Sequence, residues 1–134
     1  MDKHLKLMSP VGRVYTVDGA KVREKHTVFI GGGHHLVYPW VPRHEVWIER
    51  MRGGWREERF LLAHEMTEIV LMMVRRWPYE KAHAAANVAE QRLRAGACPD
   101  KVFIEFMGEH FPDGDPEAAV NLGSSLTQSY RKYG

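Results

Sequence analysis

The stretch "LLAHEMTEIVLMM", residues 61–73, decides how the chain is read. Its apolar run fits a buried helix, yet it carries His64, Glu65 and Glu68. Burying ionisable groups is costly unless something pairs with them. On a helix His64 and Glu68 are i and i+4, one turn apart on one face. That spacing lets two side chains grip one ion without bending the backbone. The neighbouring sequence must supply whatever this polar stripe faces.

Working outward, the helix is predicted from about Trp55 to Arg76, where Pro78 stops it. A second helix is predicted from Pro78 to Ala95, with Glu80 in its first turn suiting the helix dipole and Gly96 as C-cap. The linker "RRWPY" is short, so the two helices are expected to form an antiparallel hairpin. On the second helix His83, Asn87 and Glu90 fall at i, i+4 and i+7, one stripe set among Ala82, Ala84, Ala85, Ala86 and Ala89. Small side chains let helices approach closely, so this stripe is expected to face the first helix.

The segment "HEMTE" keeps two positions of the H-E-x-x-H pattern, in which two histidines hold zinc and the glutamate acts as general base. Glu68 replaces the second histidine. Carboxylate is a legitimate zinc ligand, and two histidines with one glutamate form a known catalytic set. His83 is therefore the expected third ligand beside His64 and Glu68. Glu90 or Asn87 is expected to orient a ligand histidine through its other ring nitrogen.

Residues 1–51 read as β-rich. "RVYTV" is a strand, "DGA" a turn, and "HTVFI" a second short strand. "GGGHH" interrupts it and reads first as a flexible turn. Its second reading gives His34 or His35 a role as oxyanion donor or fourth ligand. It lacks the Gly-Lys-Ser/Thr ending of a phosphate loop. "LVYPWVP" is extended, its prolines excluding a central strand. "HEVWIERM" (44–51) alternates, with Val46 and Ile48 on one face and Glu45, Trp47 and Glu49 on the other, and reads as a strand at an exposed edge. After the hairpin at 55–95, "DKVFIEFM" fits either a short strand or a helix. "PDGDP" is a turn, and "PEAAVNLGSSLTQSYRKY" is a weak terminal helix interrupted by Gly123. The order β, α, α, mixed predicts one α+β domain over 1–134, its last part being 100–134.

Composition bounds the function. The 134 residues are 44% hydrophobic and 27% charged, as in a globular domain of ordinary size. Nineteen basic residues against seventeen acidic ones give a net charge of +2, which does not argue for a nucleic-acid partner. No apolar run approaches the roughly 20 residues that span a bilayer, and the N-terminus has no signal-peptide pattern. The single cysteine, Cys98, excludes an intrachain disulfide and fits a cytoplasmic setting. It has no paired histidine to make it a nucleophile. Eight histidines are more telling, since histidine is the commonest metal ligand. His4, His26 and His110 are isolated. Trp47, Trp55 and Trp77 read as core or interface, and Met66, Met72 and Met73 as core filler.

A strand followed by a helix bearing H-E-x-x-[HE], over about 44–90, resembles the zincin-like metalloprotease core. "PRHEVWIER", "LLAHEMTEIVLMM" and "YEKAHAAANVAE" are also similar to small proteins of phages and prophages. The zincin resemblance implies an edge strand lying along the cleft and pairing with substrate backbone. It implies that His64 and Glu68 are helix ligands and that Glu65 takes a proton from water attacking a polarised carbonyl. The substrate expected is a peptide or protein. Zinc is the expected ion, with manganese or iron as alternatives, because carboxylates suit them too. Three other readings stand beside this one. His64, Glu68 and His83 can form a hydrogen-bonded network without an ion. The chain can be a non-enzymatic phage-type structural or interaction protein with a relict or structural metal site. "EKAH" (80–83) also matches the Glu-x-x-His unit of di-metal helical bundles, though only one such unit is present.

Overall fold

The computed structural model describes residues 3–110 and 115–133. Four strands and five helices follow in the order β1 (Lys3–Ser9), β2 (Gly12–Val17), α1 (Gly19–Lys25), β3 (Gly32–His34), β4 (Glu45–Glu49), α2 (Trp55–Val74), α3 (Tyr79–Arg94), α4 (Pro99–His110) and α5 (Pro116–Lys132). The architecture is α+β, with a mixed sheet of order β1-β2-β4-β3. β1 and β2 form an antiparallel hairpin, β2 and β4 run parallel, and β3 is antiparallel to β4.

The alternation of "EVWIE" sorts its side chains as the sequence predicts. Val46 and Ile48 join Val14, Leu62, Met66 and Ile69 in the main core beneath α2. Trp47 turns to the opposite face, where Val17, Val22, Phe29 and Val41 form a second cluster. The expected position of this strand is corrected, however. β4 lies between β2 and β3, so the edge on its side of the sheet belongs to β3. β4 tolerates its charged residues there because each is paired. Glu45 meets Lys3 Nζ at 2.7 Å and accepts the Trp47 indole N–H at 2.9 Å. Glu49 receives both arms of the Arg23 guanidinium at 2.8 Å and the Gly31 N–H at 3.0 Å.

Further expectations change in the first half. "GGGHH" is not simply a turn, since Gly32–His34 is strand β3. "HTVFI" is not a strand, and only Ile30 makes an isolated bridge, to Gly32. "LVYPWVP" coils through turns rather than extending. After Asp18 the chain forms helix α1, because the Asp18 carboxylate accepts the Ala20 and Lys21 N–H groups at 3.0 and 3.3 Å. Strand β1 was not signalled, because it sits at an edge with mostly exposed side chains and gains its order from β2.

The second half is helical throughout. α2 and α3 form the expected hairpin, with Ala82, Ala86 and Ala89 fully buried between neighbouring elements. "DKVFIEFM" is helix α4, its apolar Val102, Phe103, Phe106 and Met107 falling on one face. Gly123 does not weaken α5 idly. A Cβ there would lie 2.9 Å from Ile104 Cα, so glycine permits the close crossing of α5 and α4. Asp115 caps α5 by accepting the Glu117 N–H at 3.0 Å. The first three residues of the "PDGDP" turn lie outside the described residues. Met73 is half exposed rather than core filler, as the apolar run outlasts the buried part of α2. No described helix is long and apolar enough to cross a membrane.

The chain end is anchored by one buried pair. Tyr133 donates its hydroxyl to Glu58 Oε1 at 2.8 Å, and Glu58 Oε2 accepts the Met51 N–H at 3.0 Å. Burial and this carboxylate push the Tyr133 phenol far above its ordinary range. Tyr133→Phe leaves a buried carboxylate oxygen unsatisfied and is expected to cost about 1–3 kcal/mol, read as a lower urea midpoint. A second expectation concerns acid. The Arg23 fork, opposed by partial burial and helped by the Gly31 N–H, holds Glu49 below the usual carboxylate range. A depressed carboxylate stabilises the fold above its unfolded value of about 4.3. That contribution fades as pH falls through the folded value. Urea midpoints of Arg23→Gln should therefore fall less between pH 5 and pH 2 than those of the wild type.

Candidate metal centre

Three elements converge on Glu68, which is 2% exposed on α2. From the sheet edge, His34 Nε2–H donates to Glu68 Oε1 at 2.8 Å. From one turn earlier on α2, His64 Nε2 lies 3.2 Å from Glu68 Oε2. From α3, His83 Nδ1 lies 3.0 Å from the same Oε2. His64 Nε2 and His83 Nδ1 are themselves 3.2 Å apart. The three atoms thus form a nearly equilateral triangle. Ligands held about 2.0–2.1 Å from a tetrahedral zinc stand roughly 3.3 Å from one another. Two imidazole nitrogens and one carboxylate oxygen at this spacing fit a divalent cation in both chemistry and size.

The electrostatics agree with that fit. Burial disfavours a charge on the His64 ring, but the Glu68 and Glu90 carboxylates outweigh it and raise its pKa to about 10. Burial likewise opposes charge on Glu68, yet the hydrogen bonds from His34, His64 and His83 hold it well below the ordinary carboxylate range. Three histidines turned on one carboxylate make a place where positive charge is held. Glu90 supports it from behind, its Oε1 lying 3.1 Å from His64 Nδ1, while Arg94 Nε donates to Glu90 Oε2 at 2.8 Å.

Glu65 differs. It is 6% exposed, and no hydrogen bond reaches its carboxylate among the described residues. Burial raises its pKa, His34 and His64 oppose that, and Glu68 and Glu90 add repulsion. It lines an open cavity of about 250 Å³ together with His64, Glu68 and His83. Gly31 to Gly33 form one wall, and Leu61, Tyr79 and Asn87 lie on the others. A Cβ at Gly32 would press on Glu65 Cγ at 3.2 Å and on the Trp47 carbonyl at 3.0 Å, so the glycine lets β3 pass this close to α2.

The structure therefore brings together His64, Glu68 and His83, with Glu65 and Asn87 at the same cavity and Glu90 against His64. His34 reaches the group from a direction the sequence did not suggest. It is fully buried against the other oxygen of Glu68, and it groups with Glu65 and Glu68 rather than with His64 and His83. His35 stays out, beyond the end of β3, with its ring 6.2 Å from that of His44. Glu80 is exposed and belongs to neither candidate metal-binding group among the described residues. Tyr79 was missed. Its hydroxyl lies 3.3 Å from His83 Nδ1, and its place four residues before His83 was the readable signal.

No protein family, curated protein or solved structure compared with this chain matches it.

Glu90 fixes a ligand ring without lying at the triangle. Outer partners of this kind typically carry 10–100-fold in metal affinity. Glu90→Gln is expected to weaken zinc binding by about that factor, measured by competition with a chromophoric chelator, with the fold intact by circular dichroism.

Proposed function

We propose that the chain is a small metal-dependent hydrolase acting on peptides, with one divalent cation, zinc first, held by His64, Glu68 and His83. The observation that carries this reading is the triangle of ligand atoms at 3.0–3.2 Å on the wall of an open cavity, with the unpaired Glu65 carboxylate beside it. A bound cation would supply Lewis acidity there, polarising a carbonyl and making water acidic near pH 7. Glu65 takes the proton from the attacking water and passes it to the departing amine. The Tyr79 hydroxyl, at the cavity beside His83, donates to the oxygen of the carbonyl under attack. β3 offers an extended peptide a sheet edge along the cavity wall.

The order of β4, then α2 bearing H-E-x-x-E, with an antiparallel edge strand alongside, supports the zincin-like resemblance. The free, exposed Cys98 suits a cytoplasmic protein. A second reading keeps the same residues without catalysis. His34, Glu68, His64 and His83 already pair with one another, and such a network can hold α2, α3 and the sheet together in a non-enzymatic phage-type protein.

Elemental analysis of the purified chain separates the two. About one zinc per chain is expected, lost in His64→Ala and His83→Ala variants that remain folded. Glu65→Gln should keep that metal and lose cleavage of a mixed peptide library by at least about a hundredfold. A folded wild type that takes up no zinc, manganese or iron would leave the non-enzymatic reading.

A further inference from the structure

We propose that Glu68 is a bridging carboxylate and that the centre takes a second divalent cation between Glu68 Oε1, His34 and Glu65. This rests on the metal centre just described and extends it from one ion to two. Glu68 divides its two oxygens between separate sets of partners. Oε2 faces His64 Nε2 and His83 Nδ1 at 3.2 and 3.0 Å, and Oε1 faces His34 Nε2 at 2.8 Å. Partners on both oxygens leave Glu68 placed to bridge two ions, provided the second set can itself hold one.

The second set has the composition of a site in its own right. Ligand-type atoms of His34, Glu65 and Glu68 all lie within 4.8 Å of one another, and all three residues are more than nine-tenths buried. An octahedral shell with bonds of about 2.1 Å is roughly 4.2 Å across, so a small turn of the Glu65 side chain closes the cluster on an ion. That side chain has no hydrogen bond to break in turning. No hydrogen bond reaches its carboxylate among the described residues, and it already faces the cavity.

A charge argument points the same way. Glu65 and Glu68 are two buried carboxylates in one cluster, and among the described residues only Glu68 is hydrogen-bonded. An unpaired buried carboxylate is costly, and a cation between the two removes the cost. One imidazole with two carboxylates is a harder donor set than two imidazoles with one, so it suits manganese or iron better than zinc. A shared carboxylate sets two ions about 3.5–4 Å apart, the spacing of two-metal hydrolytic centres.

The test is a titration of the metal-free full chain with Mn²⁺, followed by the electron paramagnetic resonance of free and bound ion. Two Mn²⁺ per chain are expected, with a low-temperature spectrum showing exchange coupling between them. Glu65→Gln, nearly identical in shape, should bind one and show an uncoupled spectrum. His34→Gln should do the same, and if burial prevents it from folding, Glu65→Gln carries the test alone. Saturation at one Mn²⁺ overturns the inference and leaves the single-ion reading standing. Two ions without coupling, or two retained in Glu65→Gln, place the second ion elsewhere and overturn it as well. No uptake of Mn²⁺ or Zn²⁺ at all overturns both readings.

Discussion

A single buried carboxylate ties the two halves of this chain together. Glu68 sits on α2 at the seam where β3 and α3 meet it, and it holds a histidine from each. A charge at that depth persists only if each of its oxygens is satisfied. His34 can reach it only if the glycine strand runs along the sheet edge. His83 can reach it only if α3 folds back against α2. The position of Glu68 thus constrains the sheet edge and the helical hairpin together, and the cavity is the space left between them.

α2 is the element that makes this possible. Leu62, Met66 and Ile69 face the apolar core with Val14, Val46 and Ile48, while His64, Glu65 and Glu68 face the cavity. The helix is buried almost all round, one part in hydrocarbon and the other in polar partners. Its apolar side supplies the driving force for burial. Its polar side then has to be answered by neighbours, and the answer is chemically specific: imidazoles for Glu68, a carboxylate for His64, and among the described residues no hydrogen bond for Glu65. Among the described residues Glu65 is thus a buried acid without a hydrogen bond beside two paired ones, Glu68 and Glu90.

The sheet shows the same logic at its edge. β4 carries two glutamates yet lies inside the sheet, because Lys3 and Arg23 neutralise them from β1 and α1. β3 is short and rich in glycine, and it takes the outer position beside the cavity. Had β4 been the edge, as its charged face suggested, the cavity wall would have been a strand of bulky side chains. With β3 there, backbone lies against the centre and Glu65 has room.

How much of this was legible follows from the range of each interaction. Local periodicity and punctuation determined α2 and α3. An apolar run with i, i+4 polar residues, a proline stop and an alanine-rich partner are all read within some forty residues. The same spacing brought His64, Glu68, His83 and Glu90 into one candidate group, because a tight hairpin leaves little freedom in how its faces meet. The alternation of β4 was local too. What the chain could not reveal alone were facts of pairing between distant segments. Whether β4 was edge or interior depended on Lys3 and Arg23, 42 and 26 residues away, neutralising its charges. The glycine strand became β3 only because β4 offered it hydrogen bonds. His34 became a partner of Glu68, 34 residues on, only because that strand ran past α2. Short segments carry too little intrinsic preference to choose their own state, so tertiary contacts chose it for them.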